Sequence, residues 1–336
     1  MLHAPEIARA AGYKNFYQDI MSANEFNHLS DKVVPVIVNA RPFGKYSMVD
    51  IDDRGGIQVF VKDLLDAGLL KGDVMTCTGM TLAEQVDSLS PNKPDGDVIY
   101  SVEKPFKQTG GLRLLGGNLS PEFSAVLKLA GVEGGLENNL FNGSARVFNG
   151  EEDLLKFLDA TPNELENNDM IVVRYEGPVG GPGMPEMLDS TSRITAICRD
   201  KNIVVGLMTD GRFSGGSVGL VIGHVGPEAA VGGPIALIEN GDTIEVSLNS
   251  NEINCKQLQE PNIVKARLDK WNSEVDEDTG VHPFVGRADT RLLNRMRKSA
   301  VSAIYGAGMH PNSDLFVCDP RQPEFSGFKP VNKYKN

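Results

Sequence analysis

Short apolar runs separated by turn-forming residues recur through the middle of the chain, and this alternation constrains the fold more than any other feature. The runs lie in GGLRLLGGNL, SAVLKLAGV, ARVFNGEEDLLKFL, MIVVRYEGPVGGPG, IVVGLMTDGRFSGG and PIALIENGDTIEVSL. Short apolar runs bounded by Gly, Pro and Asn are typical of β-strands. Asn240-Gly241 between two of them predicts a hairpin. Together these features favour a mixed β-barrel with peripheral helices over a doubly wound sheet.

The first ninety residues have a different texture, that of an α/β domain. LHAPEIARAAGYKNFYQDIMSANEF predicts helix, and the β-branched run VVPVIV at 33–38 predicts a buried strand. SMVDIDDRGGIQVFVKDLLDAGLL predicts a helix capped by Ser47 that ends near Gly68. The turn-rich segment SLSPNKPDGDV at 88–98 then suggests a domain boundary.

The chain is therefore predicted to be an α/β protein with two domains. Residues 1–93 form part of an N-terminal α/β domain, and residues 94–305 form the mixed β-barrel domain. Helices predicted in KQLQEPNIVKARLDKW and TRLLNRMRKSAVSAIY lie outside the barrel. Residues 306–336, rich in Pro, Asn and Lys, are expected to form a surface tail.

Charge and hydropathy exclude several classes of partner. Thirty-three basic against 45 acidic residues give a formal charge of −12, which opposes a phosphate backbone, so no nucleic acid partner is expected. No apolar run approaches the length of a membrane-spanning helix, and MLHAPEIARAAGYK lacks the features of a signal peptide. We expect a cytoplasmic protein without membrane contact, or a matrix or plastid protein whose transit peptide is absent.

The cysteines and histidines do not announce a metal site. Cys77, Cys198, Cys255 and Cys318 lie far apart, without a spacing typical of metal ligands. The five histidines form neither HxxxH nor HExxH. Four reduced and mostly buried thiols are the expectation.

Two glycine-dense loops each follow a predicted strand: RYEGPVGGPGMPEM at 174–187 and TDGRFSGGSVG at 209–219. Ligands commonly bind where strands end, although each loop alone could be a tight turn that needs positive φ. Neither loop has the order of a phosphate-binding motif, and Ser214 does not lie in GxSxG. Beside a cation, the Ser214 hydroxyl could have a lowered pKa and act as a base.

Four long motifs carry a resemblance to a known family: GGLRLLGGNLSPE, FNGSARVFNGEEDLL, RYEGPVGGPGMPEML and TDGRFSGGSVGLVIGHVGPEAAVGGPIALIENGDTIEV. They resemble the signatures of the dihydroxy-acid dehydratase and 6-phosphogluconate dehydratase family, and most closely its dihydroxy-acid dehydratases. The resemblance covers about residues 1–250. It implies a hydro-lyase of branched-chain amino-acid biosynthesis that removes water from a 2,3-dihydroxy acid and yields a 2-keto acid.

The resemblance also implies roles for individual residues. Ser214 matches the serine that abstracts the C2 proton, and Glu186 matches a glutamate that binds Mg²⁺. Gly215 and Gly216 would let the backbone approach the substrate. The remaining candidates bind substrate or brace the loops: Asp210 and Arg212 as loop braces, Arg174 and Glu176 as an ion pair or a substrate contact, and His224 as a packing residue at a helix start.

An iron–sulfur cluster and Mg²⁺ are the implied cofactors, both held mainly by an N-terminal α/β domain. A cation would stabilise the enolate-like species at C2, and an iron atom would assist departure of the C3 hydroxyl. The resemblance places the cluster ligands outside this sequence, so we expect a C-terminal part that is inactive alone. A homodimer, or pairing with an N-terminal half, is expected.

Two alternatives remain open. The chain could belong to a sugar-acid dehydratase of the same family, since residues 256–336 differ from what the family leads us to expect. It could also be a noncatalytic barrel module.

Overall fold

The structure is a computed structural model that describes residues 2–13, 16–41, 44–128, 136–213, 219–277, 281–285 and 290–310. Two compact units divide the chain, one formed by residues 24–112 and the other by residues 1–23 and 113–336. In the described ranges, no helix is both long and apolar enough to cross a membrane. The predicted domain boundary near residue 93 stays a prediction.

The helices and strands are numbered in the order in which they follow one another along the chain. The α-helices of the described residues are α1 (Ala4–Ala10), α2 (Phe16–Asp19), α3 (Ala23–His28), α4 (Met48–Asp53), α5 (Ile57–Asp66), α6 (Leu82–Ser88), α7 (Glu151–Ala160), α8 (Leu188–Lys201), α9 (Pro261–Glu274) and α10 (Arg291–Ser299). The β-strands are β1 (Leu112–Leu115), β2 (Ala125–Lys128), β3 (Leu140–Phe148), β4 (Asp169–Val173), β5 (Gly206–Thr209), β6 (Leu220–Gly223), β7 (Thr243–Ser247) and β8 (Glu252–Cys255).

The unit of residues 24–112 is built from short helices. Ser47 caps α4 in a capping box with Asp50, as predicted. The helix predicted from Ser47 to Gly68 is interrupted between α4 and α5 by a turn at 54–56. The strand predicted at 33–38 was wrong: Val36 and Val38 make only isolated bridges, and Pro35, directly before Val36, has no N–H to donate to a longer ladder.

Eight strands form a nearly closed barrel in the order β1-β2-β6-β5-β4-β3-β7-β8. Gly116, directly after β1, bridges Glu252 of β8 and so joins the two ends of the sheet. The strands β3, β4, β5 and β6 run parallel, whereas β2, β7 and β8 pair antiparallel with their neighbours, which confirms the mixed barrel. The predicted hairpin at Asn240-Gly241 was wrong, because residues 234–237 form a 3₁₀ turn and the hairpin joins β7 to β8.

Both faces of β4 are buried, as expected of a central parallel strand. Met170 and Val172 point into the barrel core, whereas Ile171 and Val173 pack against the layer that includes α7 and α8. Each of these two helices connects a pair of adjacent parallel strands, β3 to β4 and β4 to β5. As a result, the carboxyl ends of β3, β4, β5 and β6 meet at one edge of the barrel. We call it the carboxyl edge.

Candidate active site

The carboxyl edge gathers most of the residues that sequence analysis selected. Arg174 and Glu176 follow β4, while Asp210 and Arg212 follow β5. Ser214, Gly215 and Gly216 come next in the chain but lie outside the described residues. His224 follows β6 and does not begin a helix, contrary to expectation.

Asp210 is fully buried and holds two neighbouring segments by hydrogen bonds. Its carboxylate accepts from the backbone N–H groups of Tyr175 (3.1 Å), Glu176 (3.0 Å) and Ala229 (2.8 Å). Burial nevertheless raises the pKa of Asp210, against the opposing effect of these donors. The side chain thus ties the segment after β4 and the segment after β6 to the end of β5, which supports its predicted role as a brace.

Gly211 is required by close approach of the two glycine-rich loops. A Cβ atom at this position would lie 2.6 Å from the Glu176 carbonyl oxygen, so any side chain would push the loops apart. The Glu176 side chain is also buried, and its Oε1 accepts the Glu151 backbone N–H at 2.9 Å. Because Glu151 begins α7, the carboxylate lies at the positive end of that helix.

Glu186 and Arg212 come together where the two loops run side by side. Their backbones form a parallel bridge, and Arg212 Nη1 lies 3.8 Å from Glu186 Oε1. Arg212 Nε also donates to the Met184 carbonyl at 2.6 Å. The Glu186 side chain is 50% exposed, so its carboxylate is open to a ligand from outside the chain.

The guanidinium of Arg174 contacts the 3₁₀ turn of residues 234–237 and the residue after it. Nε donates to Asn149 Oδ1 at 2.6 Å, and Nη1 donates to the carbonyls of Ala236 (2.5 Å) and Ile238 (3.1 Å). Burial lowers the pKa of this guanidinium. These bonds indicate a bracing contact.

His224 and Glu228 complete the edge, and the partial burial of His224 and the nearly full burial of Glu228 shift both pKa values. Burial lowers the pKa of His224 to about 4, with Arg212 and His3 adding to the effect. Burial and the neighbouring Asp210 raise the pKa of Glu228 to about 8. Sequence analysis missed Glu228, although its apolar setting in GPEAAV was a signal of burial.

The described thiols do not suit a metal cluster. Burial raises the pKa of Cys255 to about 11 and also raises that of Cys198, which disfavours the thiolate that binds metal. Cys77 is exposed, contrary to the expectation of mostly buried thiols, and Cys318 lies outside the described ranges. In the part of the chain that the structure describes, no group of three or more His, Cys, Asp or Glu side chains could hold a metal ion.

Comparison with known proteins decides the family. The profile for the dihydroxy-acid/6-phosphogluconate dehydratase C-terminal domain matches residues 97–307, and that for the N-terminal domain matches residues 1–85. The chain belongs to this family. The resemblance of the four motifs is thereby confirmed.

Several relatives carry the name dihydroxy-acid dehydratase. One from Nocardioides sp. is 45% identical over 91% of this chain and 50% of its own length. One from Acidothermus cellulolyticus is 45% identical over 75% of this chain and 42% of its own, and dihydroxy-acid dehydratase 2 of Corynebacterium efficiens is 47% identical over 80% and 45%. The chain thus spans about half the length of these relatives.

Proposed function

We propose that this chain forms part of a hydro-lyase that converts a 2,3-dihydroxy acid into a 2-keto acid and water. One observation carries the proposal: over 91% of its length, this chain is 45% identical to a protein named dihydroxy-acid dehydratase. The geometry of the carboxyl edge supports it, because two glycine-rich loops from adjacent parallel strands meet there through Glu186 and Arg212.

Ser214 is the proposed base, acting at C2 of the substrate. Its ionised oxygen takes the C2 proton and returns it to the C3 hydroxyl, which leaves as water, and the resulting enol tautomerises to the 2-keto acid. The described residues just before it support this role, since Asp210 fixes the end of β5 by three hydrogen bonds. A positioned base of this kind accelerates such reactions by about 10²- to 10⁴-fold.

Glu186 is proposed to offer one carboxylate to Mg²⁺, for which oxygen is the preferred ligand. Its exposure and its place beside Arg212 support this assignment. The described residues do not fit an iron–sulfur cluster, given the raised pKa values of Cys198 and Cys255.

We propose a dihydroxy acid as the substrate because the relatives described above are named dihydroxy-acid dehydratases, and we propose a branched-chain one because the motif RYEGPVGGPG resembles that of the branched-chain biosynthetic members. The test uses this chain fused to the N-terminal portion of the Nocardioides sp. relative, supplied with iron, sulfide and Mg²⁺. Formation of the keto acid from 2,3-dihydroxy-3-methylbutanoate, and not from 6-phosphogluconate, is the expected result. Turnover of the sugar acid alone would favour the other branch of the family, and turnover of neither would contradict the proposal.

A further inference from the structure

Two carboxyl groups lie buried side by side at the carboxyl edge without a salt-bridge partner. Asp210 is 0% and Glu228 5% exposed, and both line one small cavity together with Val179, Gly226 and Ser302. Within the described ranges, neither carboxyl forms an ion pair with a Lys, Arg or His side chain. Two carboxylates in such a setting cannot both be ionised at low cost.

Both groups hold the loop after β4 by its backbone. Glu228 accepts the N–H groups of Val179 (2.9 Å) and Gly180 (2.8 Å), which lie a few residues beyond those held by Asp210. Gly177 makes room for this contact, since a Cβ atom there would lie 2.5 Å from Glu228 Oε2. The loop that continues to Glu186 is therefore clamped at two points.

The surroundings of the two carboxyl groups differ, and the difference indicates which of them carries a proton. Burial raises the pKa of both carboxyl groups, but Asp210 accepts three backbone N–H groups and lies near the positive charge of Arg174, and both of these oppose that rise. Glu228 accepts two such groups and feels the negative charges of Asp210 and Glu122. More donors and a nearby cation stabilise a charged carboxylate, whereas neighbouring anions destabilise one.

We propose that Asp210 is ionised and Glu228 is a neutral carboxylic acid, and that the pair positions the loop of residues 175–187 at the edge of the barrel. The pKa of Glu228, raised to about 8 by burial and by Asp210, agrees with this assignment. The inference goes beyond the proposed function, since a proton on Glu228 can be measured without substrate or metal.

The first test compares the pH dependence of thermal unfolding of the full chain with that of Glu228→Gln. Native Glu228 keeps its proton up to about pH 8, whereas the unfolded chain loses it near 4.5, the ordinary pKa of a glutamate, so stability should fall as pH rises between these values. Gln keeps the acceptor oxygen and is neutral at every pH. The Tm of Glu228→Gln minus the Tm of the parent should therefore increase steadily from pH 5 to pH 8.5.

Glu245→Gln is the matched control, because Glu245 is a half-buried glutamate on β7 of the same unit. It should leave the slope of Tm against pH as in the parent. If the Tm of Glu228→Gln lies below that of the parent by the same amount at every pH, the proposal is overturned, since an ionised Glu228 would then be the native form.

A second measurement covers the case in which Glu228→Gln does not fold. The infrared spectrum of the unmodified chain should show the C=O stretch of a protonated carboxylic acid at pH 6.5, and this band should disappear with a midpoint near pH 8. In Asp210→Asn the midpoint should fall by about one pH unit or more, because the neighbouring negative charge is gone. The absence of any protonated carboxyl band above pH 6 in the parent would overturn the proposal.

Discussion

Three residues at the carboxyl edge adopt backbone conformations that residues other than glycine rarely adopt. Tyr175, Met184 and His224 have φ values of 68°, 44° and 58°. Each such residue costs about 1–3 kcal/mol, and conformations of this kind persist where the surrounding contacts demand them, often at functional sites. Here the Asp210 carboxylate accepts the backbone N–H of Tyr175 itself, and Arg212 donates to the Met184 carbonyl. The strain therefore supports the edge as the site of function.

At this scale we expect His224 to remain neutral across the physiological range. Its pKa is lowered from 6.5 to about 4 in the folded chain, so the native protein binds fewer protons than the unfolded one and stability falls as pH drops between these values. His224→Gln should lessen this acid-induced loss by about 1–3 kcal/mol. Urea unfolding at pH 7 and pH 4.5 measures the difference, with His28→Gln as the exposed control. Titration of His224 near pH 6.5, followed by NMR, would contradict the expectation.

At the scale of elements, α9 is joined to the barrel through a stack of aromatic rings. His282 is 1% exposed and lies between Trp271 of α9 and Tyr175, at 5.2 Å from each ring. Trp271 Nε1 also donates to Tyr175 Oη at 3.1 Å, and burial raises the pKa of Tyr175 to about 12. His282, far along the chain, therefore supports Tyr175, the strained residue near the start of the first glycine-rich loop.

Replacing His282 by alanine should loosen this stack. The loss of its contacts with the rings of Tyr175, Trp271 and Phe284 should lower the free energy of unfolding by about 1.5–4.5 kcal/mol, at about 0.5–1.5 kcal/mol for each pair. Trp271 is the single tryptophan of the chain, so its fluorescence reports this contact alone and should shift to longer wavelength. His28→Ala, an exposed substitution in the other unit, serves as the control. Unchanged fluorescence in His282→Ala would show that the stack is not formed.

Sequence patterns predicted the elements with strong local signals and failed where a distant contact decides the structure. The Ser47 cap, the strands before both glycine-rich loops and the mixed barrel were predicted correctly. The hairpin at Asn240-Gly241 failed because Pro234 starts a 3₁₀ turn that Arg174, 60 residues earlier, holds by its carbonyls. Glu228 was missed because its importance comes from facing Asp210, and no local pattern encodes that pairing.

At the scale of the whole molecule, the two units differ greatly in the size of their apolar cores. Among the described residues of 24–112, the apolar core cluster contains four buried side chains, namely Ile51, Val59, Val98 and Ile99. The barrel unit has two large clusters, one inside the barrel and one between the sheet and its helices. Since apolar burial provides most of the stabilisation, the smaller unit should open first.

Hydrogen exchange tests this order directly. Amide protons of β4 should exchange at least about 100-fold more slowly than those of α5, because β4 is buried on both faces within the larger core. Exchange measured by mass spectrometry after peptic digestion separates the two segments. Equal protection of α5 and β4 would contradict the expectation.

Ser214→Ala tests whether the loops of the carboxyl edge supply the base of a dehydratase. In the fusion with the N-terminal portion of the Nocardioides sp. relative, we expect kcat to fall by about 10²- to 10⁴-fold with little change in KM, because the lost oxygen acts in the transition state. Exchange of the C2 proton with solvent should fall in parallel. A folded, metal-loaded Ser214→Ala enzyme that retains kcat within about threefold of the parent would contradict the account.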